Sequence, residues 1–453
     1  MLTFLIALFG IIITILLIIG VHEAGHFFVA KLLGIKVLRF SIGFGKALLR
    51  WHDKQGTEYV LAAIPLGGYV KMLDETEEEV ASTELHLSFN RQPFYKRFAV
   101  IIAGPIANLI FAVLIYWFLF MMGFTTIKPI IGNIMTPSIA NTAKMKPQQE
   151  ITHIDHSQVS GWMAIMIRML SRTGDHTQMS IETKDLHTSA TYTYQLNLAA
   201  WHLDELNPDP LASLGIVPYE PFISPTIGKI IPHSAAEKSS LRTGDKVIAI
   251  NNKPILTWTD LAERIDELPE KTIPFKIQRD GKRITLPVTF SYQRDLFFKK
   301  HGVLGISPAF TWPENLLQKN QYTPLPALKH AWQNMVIFTK MNFIVIGKLF
   351  TGKISLQSLG GPITIFGSAG SALNHGMVPF LSFLAFLSIS IGIINILPIP
   401  GLDGGQALFH LIEFILRRPI PFNIQILLFR LGIIFLILLM TQALINDVTR
   451  LIH

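Results

Sequence analysis

The sequence predicts an α-helical polytopic membrane protein with about four transmembrane helices, a membrane-associated β-hairpin or small sheet, and two soluble α+β domains of one kind. Three observations predict it. Half of the 453 residues are apolar and only 15% are charged, below the quarter usual in soluble domains. Four stretches, residues 2–21, 98–127, 376–397 and 424–445, are long and apolar enough to cross about 30 Å of hydrocarbon. Between the second and third, a segment of the chain repeats itself at a fixed offset.

The first stretch lacks the basic flank and small-residue cleavage site of a signal peptide, so it reads as a retained span within residues 1–30. It runs directly into His22-Glu23-Ala24-Gly25-His26. Residues four apart share a helix face, so His22 and His26 can offer two imidazole nitrogens to one zinc ion while Glu23 holds a water. Zinc moves the pKa of such a water toward neutrality, and a carboxylate can then take its proton. The alternative is a chance match on a polar helix end. The chain has no cysteine, which excludes disulfides and thiolate zinc fingers and restricts any zinc site to nitrogen and oxygen ligands.

Residues 31–97 predict a β region at the membrane surface. The runs 37–44 and 57–72 alternate or stay apolar, and end in Gly67-Gly68-Tyr69-Val70-Lys71. An exposed strand edge there could hold a substrate extended, since a helical peptide keeps its carbonyls hydrogen-bonded within itself. A plain packed hairpin is the alternative. The acidic run 74–79 reads as a solvated loop.

Six basic residues lie between Lys31 and Lys54 against the single acid Asp53, and Arg417 and Arg418 precede the fourth span. The positive-inside rule puts both loops in the cytoplasm. Both termini and residues 128–375 are therefore expected outside, in the periplasm of a bacterial cell, with the span at 98–127 leading there. The net charge of +8 is partly explained by these loops. No clustered basic and aromatic face supports a nucleic-acid partner.

An offset of 96 aligns residues 129–162 with 225–258, matching Pro129 with Pro225, Gly132 with Gly228, Ala140 with Ala236 and Trp162 with Trp258. Two domains, 128–221 and 222–309, are expected. In the second, Ser234-Ala235-Ala236, Leu241, Gly244-Asp245 and the strand 247–251 resemble a PDZ domain. In the first, Gln148-Gln149 replaces Gly244-Asp245, so its turn chemistry differs and its resemblance is weaker. PDZ folds add a peptide strand to a sheet edge. A rigid spacer or steric screen is the competing reading.

Residues 310–375 are expected at the outer membrane surface, with 329–350 as an interfacial or core helix. The third span and its motif occupy 376–405. Asn395-Ile396-Leu397-Pro398-Ile399-Pro400-Gly401-Leu402-Asp403-Gly404-Gly405 breaks the helix, and broken backbone at membrane depth is tolerated where it is buried or lines a wet cavity. The first and third spans run in one direction, so Asp403 and the histidines end on the same side. Two imidazoles and one carboxylate would leave the fourth zinc position open, as a catalytic site requires. The alternatives are a capping aspartate and a satisfied interhelical amide for Asn395. A cytoplasmic loop and the last span fill 406–453, with Arg430 snorkelling.

These motifs in this order resemble the site-2 protease family of intramembrane zinc metalloproteases, over essentially the whole chain. The resemblance implies one zinc held by His22, His26 and Asp403, with Glu23 as base. It implies that Asn395 helps hold the substrate and that the strand Gly67, Gly68, Tyr69, Val70 clamps it. It further implies single-span membrane proteins as substrates, typically a pre-trimmed anti-sigma factor in envelope stress, with remnant signal peptides as a second class. The PDZ tandem would then filter bulky substrates, in a bacterial inner membrane. A membrane-anchored PDZ adaptor without proteolytic activity is the rival; it would need no Glu23. A transporter would show broken helices in repeated halves, and a soluble-type peptidase would hold its histidines clear of the bilayer.

Overall fold

The computed structural model describes residues 2–76, 79–159, 161–203, 209–294, 300–418 and 420–452. Four helices have the length and composition to cross a membrane: Phe9–Leu32, Phe94–Met122, Met377–Ile396 and Asn423–Arg450. The first lies within α1 (Leu2–Leu32), a leucine- and isoleucine-rich helix whose interior backbone groups pair within the helix. It stops where Gly34 takes a positive φ of 77° and Ile35 N–H returns to Ala30 O at 2.9 Å.

Two bent antiparallel strands follow, β1 (Val37–His52) and β2 (Glu58–Met72). Residues 39–42 of β1 pair with 58–61 on one side and with 68–71 on the other, while 47–52 pair with the outer flank of 58–62. The bent pair is thus a four-ply sheet with 68–71 at one edge. Phe27, Ala30, Ile35, Val37 and Val100 form the core that fastens it to the helices.

α2 (Phe94–Met122) begins after Pro93, which cannot continue a helix backward, and ends at Gly123, φ 84°. It is displaced from the expected 98–127. Residues 124–127 are instead a strand pairing with Leu317–Asn320, because glycine in that conformation stops the helix and the β-branched Thr125 and Thr126 suit a strand.

The next segment carries two four-stranded sheets of one design. The first runs Ser157–Gln158, Gln149–Ile154, Gln178–Asp185, Thr191–Asn197, with Ile131–Ile134 paired to Ile216–Pro218. The second runs Lys253–Pro254, Lys246–Ile250, Thr272–Arg279, Lys282–Thr289, with Ile227–Ile230 paired to Ile306–Pro308. Each has its own apolar core, around Ile165 and Met179 in one and around Leu261 and Phe275 in the other.

α3 (Pro324–Phe350) crosses the end of α2, where Tyr116 stacks on Phe338 and Trp117 Nε1–H donates to Pro324 O at 2.8 Å. Its buried Lys348 donates to Thr173 O and so ties the first sheet's helix Gly161–Arg172 to the membrane part. α4 (Pro362–Asn374), α5 (Met377–Ile396), α6 (Asp403–Leu416) and α7 (Phe422–Ile452) complete the chain. α5 packs along α2 through Leu384, Ala385, Ile389 and Ile393. α7 is almost entirely uncovered. It approaches Pro400 at Gly432, where a Cβ would lie 1.8 Å from the carbonyl oxygen, and at its far end Asp447 caps α4 through the N–H groups of Gly361 and Ile363, both at 2.9 Å.

Candidate metal centre

His22 and His26 sit one turn apart on α1 and are 8% and 9% exposed. Their Nε2 atoms face each other at 3.3 Å. Asp403 Oδ2 stands 3.0 Å from His22 Nε2 and 3.5 Å from His26 Nε2. The three offer convergent atoms within 4.8 Å of one another, the one such group of three among the described residues. The convergence joins residues 377 positions apart in sequence, from residue 26 to residue 403.

The turn between α5 and α6 aims the carboxylate. Pro398 and Pro400 end the helix, Gly401 adopts φ 102°, and α6 starts at Asp403 itself. A Cβ on Gly404 would lie 2.2 Å from Ile396 O, and one on Gly405 2.3 Å from Ile399 O. Only glycines let the new helix fold back so closely on the old one. An acid in the first turn is also favoured by the helix dipole.

α2 backs the histidines. His26 Nδ1–H donates to Val100 O at 2.8 Å, which leaves the His26 Nε2 lone pair pointing at the centre. The His26 ring fills the place of a side chain on Gly104, where a Cβ would be 2.3 Å from Nε2. Gly25 packs the other way, its Cβ position being 2.4 Å from Ala103 O. Asn108, fully buried, places Nδ2 3.4 Å from His22 Nδ1.

The donor set fits a cation. Asp403 Oδ2 is buried and makes no hydrogen bond of good geometry, although both imidazole Nε2 atoms stand within 3.5 Å of it. Three ligand atoms that converge in a buried place call for a shared proton or a cation among them. Two imidazoles and a carboxylate oxygen are the ligands of open, catalytic zinc sites.

Of the other expected residues, Asn395 brings Nδ2 to 3.5 Å from His22 Nε2. Glu23, Gly68, Tyr69 and Val70 line the same cavity as His22, His26 and Asp403, about 620 Å³ in volume. Gly68 touches the motif itself, since a Cβ there would lie 2.7 Å from Glu23 Cγ. Gly67 does not line the cavity; its φ of 156° fits it against the Phe44 ring, where a Cβ would come within 2.3 Å. Val100, Gly104 and Asn108 were not among the expected residues. An amide within a long apolar helix was the available signal for Asn108.

A convergent set of two histidines on a helix of membrane-crossing length and an aspartate just past the end of another defines an integral membrane metallohydrolase. The model of the peptidase family M50 matches residues 10–439. The chain is 38% identical to the regulator of sigma-E protease RseP of Escherichia coli K12 over 452 residues, covering 100% of both chains. It is 38% identical over 452 residues to the regulator of sigma E protease of Salmonella typhimurium LT2 and 37% identical over 455 residues to protease RseP of Yersinia pestis, again covering 100% of each pair. The chain belongs to peptidase family M50 and is a zinc metalloprotease of the site-2 type.

Proposed function

We propose that this protein cleaves the transmembrane segment of single-span membrane proteins, with one zinc per chain held by His22, His26 and Asp403. The observation that carries the reading is that the metal centre, Glu23 and a sheet edge share one cavity. Residues 68–70 pair with β1 on one side, and no other strand pairs with them on the second among the described residues. An unwound substrate segment can add there as a further strand, its carbonyls taken out of their helical hydrogen bonds. Gly68 brings that edge against Glu23, so an added strand would run past the carboxylate.

Zinc, when bound, supplies Lewis acidity toward a carbonyl and acidifies water. Glu23 takes the proton of the attacking water and returns it to the amine nitrogen as the C–N bond breaks, so the hydroxyl ends on the acyl carbon. Asn395 Nδ2 donates to the carbonyl oxygen as it becomes negative. Tyr69, fixed by Arg39 Nη1–H to its hydroxyl at 3.1 Å and stacked on Phe44, stiffens the edge strand.

The relatives' names connect this chain with sigma-E regulation, and we assign it a substrate of the anti-sigma type, already trimmed outside, with remnant signal peptides as a second class. The two sheets at 128–221 and 222–309 are assigned as PDZ-like domains facing the periplasm, seated to exclude bulky substrates. The excess of basic residues between Lys31 and Lys54 supports a zinc site toward the cytoplasmic side of a bacterial inner membrane, with both termini outside. The division of the remaining chain into a β region at 31–97, an interfacial segment at 310–375 and a cytoplasmic loop before the last span follows from that orientation.

The test compares the purified protein with Glu23→Gln in detergent, on a single-span substrate lacking its outer domain, with zinc measured in both. The reading expects cleavage by the wild type alone and equal zinc in the two. Equal behaviour of both proteins, with no metal in either, would leave a PDZ adaptor.

A further inference from the structure

We propose that Asn108 is a positioning residue that holds the His22 ring with Nε2 toward the metal, by offering whichever half of its carboxamide the ring requires. The inference rests on the zinc reading of the centre. His26 has a fixed acceptor behind it, the Val100 carbonyl at 2.8 Å. His22 has a side chain in the corresponding place, with Asn108 Nδ2 at 3.4 Å from Nδ1. Both contacts come from α2, so one helix backs both imidazoles.

An imidazole whose Nε2 lone pair binds a cation carries its proton on Nδ1, and that proton needs an acceptor. As it stands, Asn108 presents a donor, which suits the ring protonated at Nε2. Its Oδ1 is buried without a partner. The two halves of a carboxamide have the same shape, so a half-turn brings Oδ1 to the same distance from Nδ1 and frees Nε2 for the metal. A hydroxyl is shorter and a carboxylate offers acceptors only; an amide can serve the ring in both of its neutral forms.

The backbone around Asn108 is built to keep the side chain in place. Ser388 Oγ–H donates to Asn108 O at 2.9 Å. Gly392 of α5 leaves only 3.3 Å between its would-be Cβ and Asn108 Cβ, and 3.1 Å to Pro105 O. α2 and α5 are therefore in close contact at this level, and Asn108 is 0% exposed. The side chain is held at this level, and the two halves of its amide need the same space.

The experiment measures zinc dissociation constants by competition with a chromogenic chelator, for the full-length protein in detergent and for Asn108→Leu, Asn108→Asp and His22→Ala. Leucine has similar size and no acceptor, so N108L should bind zinc about 10- to 100-fold more weakly, the usual cost of losing an outer partner of a metal-bound histidine. Aspartate keeps the acceptor, so N108D should stay within about threefold of the wild type or bind more tightly. Wild-type affinity in N108L overturns the proposal, as does loss in N108D; should N108L fail to fold, Asn108→Ala, which also lacks the acceptor, takes its place with the same expected loss. His22→Ala separates the levels. Undiminished zinc in that variant would remove the metal assignment itself, whereas loss there with N108L unchanged would remove only the role of Asn108.

Discussion

Replacing Gly104 with alanine is the sharpest probe of how α2 shapes the metal centre. The added methyl would lie 2.3 Å from His26 Nε2, 2.7 Å from Cε1 and 2.8 Å from Cδ2. Ordinary carbon contacts need about 3.5 Å, so the ring must retreat by roughly 1 Å. Zinc ligand distances tolerate about 0.2 Å. The retreat also pulls Nδ1 away from Val100 O, the bond that fixes the tautomer. Zinc affinity should therefore fall at least 10- to 100-fold, and cleavage with it. Helix propensity works in the opposite direction, because alanine is favoured over glycine by about 1 kcal/mol in a helix interior. A fall in metal affinity without a fall in helix content would thus identify the clash as the cause. The assay is zinc competition together with circular dichroism and cleavage of a trimmed single-span substrate. Full zinc content and full activity in Gly104→Ala would refute the claim that this glycine makes room for the ligand.

Asn395→Ala should keep zinc and lower kcat by about 10²- to 10³-fold, the usual loss for one donor to a developing oxyanion; loss of metal instead would make it a structural amide. Gly68→Ala places a methyl 2.7 Å from Glu23 Cγ and 2.8 Å from Ser41 O, and a misplacement near 1 Å costs about 10²-fold in rate, so cleavage should drop with zinc unchanged. In the second four-stranded sheet, burial would raise the Asp245 carboxyl, but Arg279 at 2.7 and 2.8 Å and the Arg242 N–H at 2.8 Å outweigh it and hold it below the ordinary carboxylate range. Its contribution to stability is complete above the unfolded carboxylate pKa and disappears as pH falls through the lower folded value. Protection of strand Lys246–Ile250 against hydrogen exchange, relative to the intrinsic rate at each pH, should fall over that acid window in the full-length protein, and Asp245→Asn should be weakly protected at every pH; acid-insensitive protection in the wild type would contradict the assignment.

Local pattern made much of this legible. The spacing of His22 and His26 is a statement about one helix face, and helix geometry carries it directly into space. The four long apolar helices follow from length alone, and the repeat at an offset of 96 reappears as two sheets of the same strand order. The end of α2 was misplaced by five residues, from 127 to Met122, because Phe124 and Ile127 are as apolar as the helix before them, and only the partner strand Leu317–Asn320 shows what they do. Gly67, expected beside the substrate, has the Phe44 ring as its nearest neighbour. A glycine pattern marks a close approach without naming the neighbour.

The sequence by itself determined that any metal site must use nitrogen and oxygen atoms, the face shared by the two histidines, the helix break before Asp403, and the number of long apolar helices. Each depends on residues within a turn or two of one another. The tertiary structure alone decided that Val100 O and Asn108 stand behind the imidazoles, that Gly104 yields its side-chain space to His26, and that residues 68–70 form the edge beside Glu23. Those relations join residues 45 to 86 positions apart, and nothing in local propensity encodes which surfaces meet. They arise when helices and sheet pack at close range, where a single methyl group decides whether a ligand fits.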